Sequence, residues 1–235
     1  MSRPHRSLIG LILLAAAATG PAISLAVSDV SGDPDDSDWP AWADEEEALR
    51  ERAAQVNEGE LEFLLETGED PVHHHSNHIT IHDTSLLDGW VLLEQCHTHL
   101  DRVPELQIVF NAERTRALEV VSFENIGEAL AQGHTVQLRD IDASSRICVR
   151  TESRALHLHG GGEVELRNGP FMRRFLDGYY PLRLSLRVDY PESLHLAGFT
   201  PAAQPGFTPL VVPGRVEVET LFEGRLYTSF RFLSR

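Results

Sequence analysis

The chain has no lysine; all 20 of its basic residues are arginine, set against 36 aspartates and glutamates. The formal net charge of −16 excludes the usual basic nucleic-acid binder, because a strongly negative chain repels phosphate. Two cysteines in 235 residues exclude a small disulfide-stapled scaffold. The only long apolar run lies at the N-terminus, which excludes a multi-span helical membrane protein. Catalytic signatures are missing as well. There is no Gly-x-Ser-x-Gly, no His-Glu-x-x-His, no phosphate-binding glycine loop and no Cys-x-x-Cys. What remains is a 42% hydrophobic composition, enough for one large domain or two small ones.

Residues 1–26 read as a secretory signal peptide. Arg3 and Arg6 form a positive start, an apolar run follows to Ala18, and Ser24-Leu25-Ala26 offers small residues where a signal peptidase reads them. The mature chain is expected to begin at Val27, in the periplasm or outside the cell, with no stable membrane insertion after cleavage. Residues 27–70 carry 16 acids against Arg50 and Arg52. The stretch 27–58 is expected to be a disordered acidic leader with a short helix over 43–57, and Trp39-Pro-Ala-Trp42 could dock it onto the domain.

Residues 59–235 read as β structure. Leu182, Leu184, Leu186 and Val188 alternate with Arg183, Ser185 and Arg187, and Val216, Val218 and Phe222 with Arg215, Glu217 and Glu219. A period of two means one face in the core and one in water. Glu223-Gly224 predicts a hairpin between the Val216 strand and Leu226–Leu233. A second hairpin is predicted across Gly160-Gly161-Gly162, and a second short helix over Asn125–Gln132. Short strands with turn signals between them predict an antiparallel β-sandwich, Ig-like or elongated, with one or two short helices. The crowding of arginine on outward faces argues against an outer-membrane barrel, whose lipid face needs apolar alternation and aromatic girdles.

Cys96 and Cys148 fall in two predicted strands, and in an exported chain with two cysteines a disulfide between them is expected. Histidine is the unusual residue. His73, His74, His75, His78 and His82 lie within ten positions, and His97 and His99 on the next strand. Residues i and i+2 of a strand share a face. That groups His78 with His82 and His97 with His99, and two adjacent antiparallel strands could bring these faces together. Copper or zinc would suit such a set, with His97 and His99 as ligands joined by one or more of His73, His75, His78 and His82. Unpaired, the same histidines are solvated or pH-sensitive surface groups. His157 and His159 are expected opposite Glu163 and Glu165 on a solvated hairpin face.

His97-Thr-His-Leu-Asp101 resembles the His-x-His-x-Asp signature of metallo-β-lactamase-fold hydrolases and the His-x-His-Leu-Asp opening of TIM-barrel metal-dependent hydrolases. Such a likeness implies a zinc hydrolase. The sequence departs from both: Arg102 stands where the first family continues with histidine, and strands follow where the second needs alternating strand and helix. The stretch Arg167–Pro181 gathers Arg173, Arg174, Tyr179 and Tyr180 around two turns, the composition of an interface hot spot or an anion clamp. With Gln95-Cys96-His97 and Val72–His75, it is similar to an uncharacterised family of exported Gram-negative bacterial proteins with no assigned activity. The resemblance spans most of residues 57–190 and implies a periplasmic location. Three functions follow, in order: a non-enzymatic periplasmic copper- or zinc-binding protein, a metal-free envelope module that binds a protein partner through the arginine–aromatic corner, and a zinc hydrolase.

Overall fold

The computed structural model describes residues 57–68, 71–175 and 178–234. The signal peptide, the acidic leader with its tryptophans, and the helix expected over 43–57 lie outside the described residues, apart from Asn57, which bridges to Tyr179.

The chain forms β1 (Glu62–Leu64), β2 (His74–Thr80), a single-turn helix α1 (Ser85–Asp88) and β3 (Trp90–Thr98). β4 (Val103–Val109) then leads into two long strands, β5 (Thr115–Gln132) and β6 (Thr135–Arg154). Next come β7 (Leu156–Leu158), β8 (Glu163–Phe171), β9 (Arg173–Phe175) and β10 (Gly178–Tyr180). The last strands are β11 (Leu182–Asp189), β12 (Leu194–Thr200), β13 (Leu210–Val212), β14 (Arg215–Glu223) and β15 (Leu226–Ser234). The protein is mainly β and sandwich-like. One sheet runs β1-β14-β11-β2-β3-β6-β4, with β13 on β14 and β5 on β6; a second runs β12-β15-β8-β7. The pairs are antiparallel except β2 with β11.

The alternation builds the core directly. Ile79, Val91, Leu93, Leu184, Leu186, Val188, Val216 and Val218 from the large sheet pack with Leu166, Phe230 and Phe232 from the small one. Each such side chain contributes roughly 1.5–3 kcal/mol of burial. A second core forms where β4, β5 and β6 curl together around Leu100, Ile126, Val136, Leu138, Ile141 and Ile147.

The predicted strands form, with two corrections in how they are joined. The helix expected over Asn125–Gln132 is strand instead, the far half of β5. Its residues pair with β6, Ile126 opposite Ile141 and Ala131 opposite Val136, and the two-residue turn Gly133-His134 closes the hairpin. Asn125 takes a left-handed φ of 55° at a register shift, the bulge that re-aims the strand. Strand pairing there outweighs a weak local helix signal. The second correction concerns Gly224. β14 and β15 are not a hairpin; β14 pairs with β11, β1 and β13, while β15 pairs with β12 and β8. Gly224 instead carries the chain from one sheet to the other, at φ 83°, so close to Glu60 that a Cβ would lie 1.9 Å from its carbonyl oxygen. The hairpin across Gly160–Gly162 is present, with His157 opposite Glu165.

The expected disulfide is present. Cys96 and Cys148 sit directly opposite one another on β3 and β6, with Cα atoms 4.1 Å apart. Among the described residues, no helix is long and apolar enough to cross a membrane.

Candidate functional site

The register between β2 and β3 decides which histidines meet. His75 lies opposite His97, Asn77 opposite Gln95, and Ile79 opposite Leu93. Odd-numbered residues of both strands therefore share a face, and Ile79, Val91 and Leu93 mark it as the core face. Moving along the strands from Leu93 and Ile79, that face changes from apolar to polar: Asn77 is 3% exposed, Gln95 7% and His97 9%. His73, one residue before β2, joins the same cluster.

The hydrogen bonds form a short chain. Gln95 Nε2–H donates to His97 Nε2 across 2.7 Å. That leaves His97 Nδ1–H to donate to His73 Nε2 at 3.1 Å. His75 Nε2–H donates to Asn77 Oδ1 at 2.8 Å, and its ring centroid stands 4.3 Å from that of His97 and 5.1 Å from that of Phe171. These tautomers follow from the amide partners. Burial keeps all three rings neutral. It pushes His75 down to about 3. Burial, helped by the nearby Arg173 guanidinium, pushes His73 down to about 4. Burial and the neighbouring His75 hold His97 well below its ordinary value.

The other predicted ligands stand elsewhere. His78 is on the opposite face with Glu94, as even-numbered partners must be; its Nε2 is 2.7 Å from Asp189 Oδ2 and its Nδ1 3.5 Å from Glu94 Oε2. His82 lies beyond the end of β2 and is exposed. His99 does not share a face with His97, because β3 ends at Thr98 and His99 turns outward with φ 56°. The facial grouping of His78, His82, His97 and His99 is thus corrected to His73, His75 and His97. Of the run His73–His75, the last two are strand residues, since β2 begins at His74. Among the described residues, no group of three or more His, Cys, Asp and Glu is arranged to hold a metal ion.

The His-x-His-x-Asp motif is taken apart by the same turn, with Asp101 bound to Arg173. The Arg173 guanidinium reaches Asp101 through Nη2 to Oδ1 at 2.8 Å and Nε to Oδ2 at 3.4 Å. It also lies over the rings of Phe175 at 5.5 Å and Tyr180 at 5.7 Å. Tyr179 is buried, 5% exposed, and accepts a hydrogen bond from Arg225. Of the four residues expected to face a partner, Arg173 and Tyr179 are thus engaged within the fold; Arg174 is exposed, with its guanidinium over the Tyr179 ring, and Tyr180 is half-buried. Asn77 and Gln95 are site residues that sequence reasoning missed, and the pairing of Asp101 with Arg173, two residues it named separately, was not foreseen. Gln95 was accessible to it, since it keeps step with Val91, Leu93 and His97.

No protein-family profile and no curated protein matches the chain. Among solved structures, it is similar to an M1 zinc metallopeptidase mutant of Deinococcus radiodurans bound to a Tyr-Ser-Ala substrate, with a TM-score of 0.39 and 11% identity over 68% of this chain and 42% of that one. A two-domain M1 zinc metallopeptidase mutant bound to L-tryptophan gives a TM-score of 0.37 and 11% identity over 76% of this chain and 44% of that one. The chain spans less than half the length of either, and likenesses this distant carry no argument about the site.

Proposed function

We propose that this is an exported, non-enzymatic protein of the periplasm that holds a copper or zinc ion on the imidazoles of His73 and His97, with His75 beside them. The observation that carries the reading is the 3.1 Å between His73 Nε2 and His97 Nδ1 on two neutral rings. Zinc–nitrogen bonds of about 2.0–2.1 Å in a tetrahedral site set ligand nitrogens roughly 3.3 Å apart. For His97 to bind a metal through Nδ1 as a neutral imidazole, its proton would move to Nε2 and the Gln95 amide would turn its oxygen to accept it. The disulfide and the N-terminal signal pattern support a compartment outside the cytoplasm.

A second reading, a metal-free envelope module that binds a protein partner, is favoured by Arg174, exposed over the Tyr179 ring in the arginine–aromatic corner. Calorimetric titration of the metal-free protein with Zn²⁺ and Cu²⁺ separates the two. The metal reading expects binding that His73→Ala weakens by at least about a hundredfold, since even groups behind the ligands cost about 10–100-fold, and that His78→Ala with His82→Ala leaves unchanged. Absence of binding to the wild type at micromolar metal would leave the module reading standing.

A further inference from the structure

Beside the histidine cluster, the large sheet and β8 part to leave a cleft of about 400 Å³. That volume falls at the smaller end of small-molecule pockets, roughly 300–1,000 Å³. Its walls are sorted by chemistry. Leu93, Ile108, Phe110 and Phe171 supply an apolar lining from four different strands and turns. Arg114, Arg154 and Arg167 also line it, and no aspartate or glutamate does. In a chain with 36 acids and 20 arginines, three arginines without one acid is a strong local reversal of charge.

The arginines are not equivalent. Arg167 is neutralised by Glu165, Nη2 to Oε2 at 2.7 Å. Arg114 and Arg154 make no side-chain ion pair or hydrogen bond among the described residues, although most arginines of the neighbouring strands do, such as Arg116 with Glu152 and Arg150 with Glu94. Their backbones are tied together, Arg154 N–H donating to Arg114 O at 2.9 Å, so both side chains leave from one point at the cleft. Asn168 also lines the cleft; its Oδ1 accepts from Gly169 N–H, while its Nδ2 is buried with no partner. A buried donor without an acceptor is costly unless something completes it.

We propose that this cleft binds a small organic anion with an apolar body, of the medium-chain carboxylate class, its charge taken by Arg114 and Arg154 and its chain by the apolar lining. Planar guanidinium groups suit a carboxylate better than a point charge would. The cleft shares His75, Asn77 and Gln95 with the histidine cluster, but the charge-bearing Arg114 and Arg154 stand outside it, so the test is run without metal.

The test is calorimetric titration of the EDTA-treated protein with decanoate, decanol and decyltrimethylammonium at low salt. Decanoate is expected to bind at least about tenfold more tightly than decanol, and the cation not at all. Arg114→Gln with Arg154→Gln should remove that preference and leave decanol binding as it was. Asn168→Asp keeps the acceptor for Gly169 N–H and adds a negative charge to the wall, so it should weaken decanoate alone. Unchanged melting temperatures show that the variants fold. Equal binding of decanoate and decanol, no decanoate binding at millimolar concentration, or a folded double-arginine variant with full affinity would each overturn the proposal.

Discussion

At the scale of single residues, the buried imidazole of His97 and the half-buried ones of His73 and His75 tie stability to pH. His73 and His75 have folded-state values of about 4 and about 3, and His97 is lowered as well, all chiefly through burial. The unfolded chain takes up protons near pH 6.5 and the folded protein does not. The stabilising contribution is therefore complete above pH 6.5 and is lost progressively as pH falls toward 4. Each such group contributes a slope of up to about 1.4 kcal/mol per pH unit in that window. Urea unfolding of the metal-free protein at pH 7.5 and 5 should show a loss of up to about 6 kcal/mol. A flat profile would mean the rings are protonated in the fold. Carboxylates act lower down. Glu165, lowered to about 2 by hydrogen bonds from Arg167 and Ser229, adds stability present above about pH 4.5 and lost toward pH 2. Asp189 behaves alike: burial raises it, but hydrogen bonds from Arg187, Arg215 and His78 outweigh that and bring it to about 2.

At the scale of elements, the disulfide and the sheet crossover carry separate predictions. Cys96 and Cys148 staple adjacent central strands, so changing both to serine should lower stability by about 2–4 kcal/mol, read from denaturant midpoints with and without reductant. Gly224→Ala meets both a left-handed φ and the Glu60 carbonyl, and should cost about 2 kcal/mol or more, seen as a drop of several degrees in Tm. Strand identity was legible in the sequence because period two is local: the alternation of Leu182 to Val188 survives intact in β11. The cysteine pairing was legible from number and compartment. Pairing partners were not. Nothing near Gly224 distinguishes a turn within a sheet from a step between sheets; the difference lies in Glu60, far away in the chain. The histidine face failed for a related reason. His78 and His97 each fit a His-bearing face alone, and only the His75–His97 register, set by Ile79 and Leu93 seeking the core, shows that they point apart.

At the scale of the whole molecule, the two cores are not separate folding units. β6 joins them: residues 146–154 pair with β3, beside the first core, and Thr135–Ile141 pair with β4 around the second. Far-UV circular dichroism and the emission of Trp90, half-buried at the start of β3, should therefore report one shared unfolding midpoint. Two midpoints would show that the β4–β6 unit melts by itself.

The covalent staple between β3 and β6 also sets how the molecule would respond to being pulled by its ends. Cys96 and Cys148 are 52 positions apart, and the segment between them contains every residue named in the second core. Tension then passes from β3 to β6 through the sulfur bridge and bypasses that segment altogether. At roughly 3.3–3.6 Å per residue, about 170–190 Å of contour length stays hidden until the bridge is reduced. In a force trace, the oxidised and reduced proteins would differ by that step, and the β4–β6 unit would bear load only in a reducing medium.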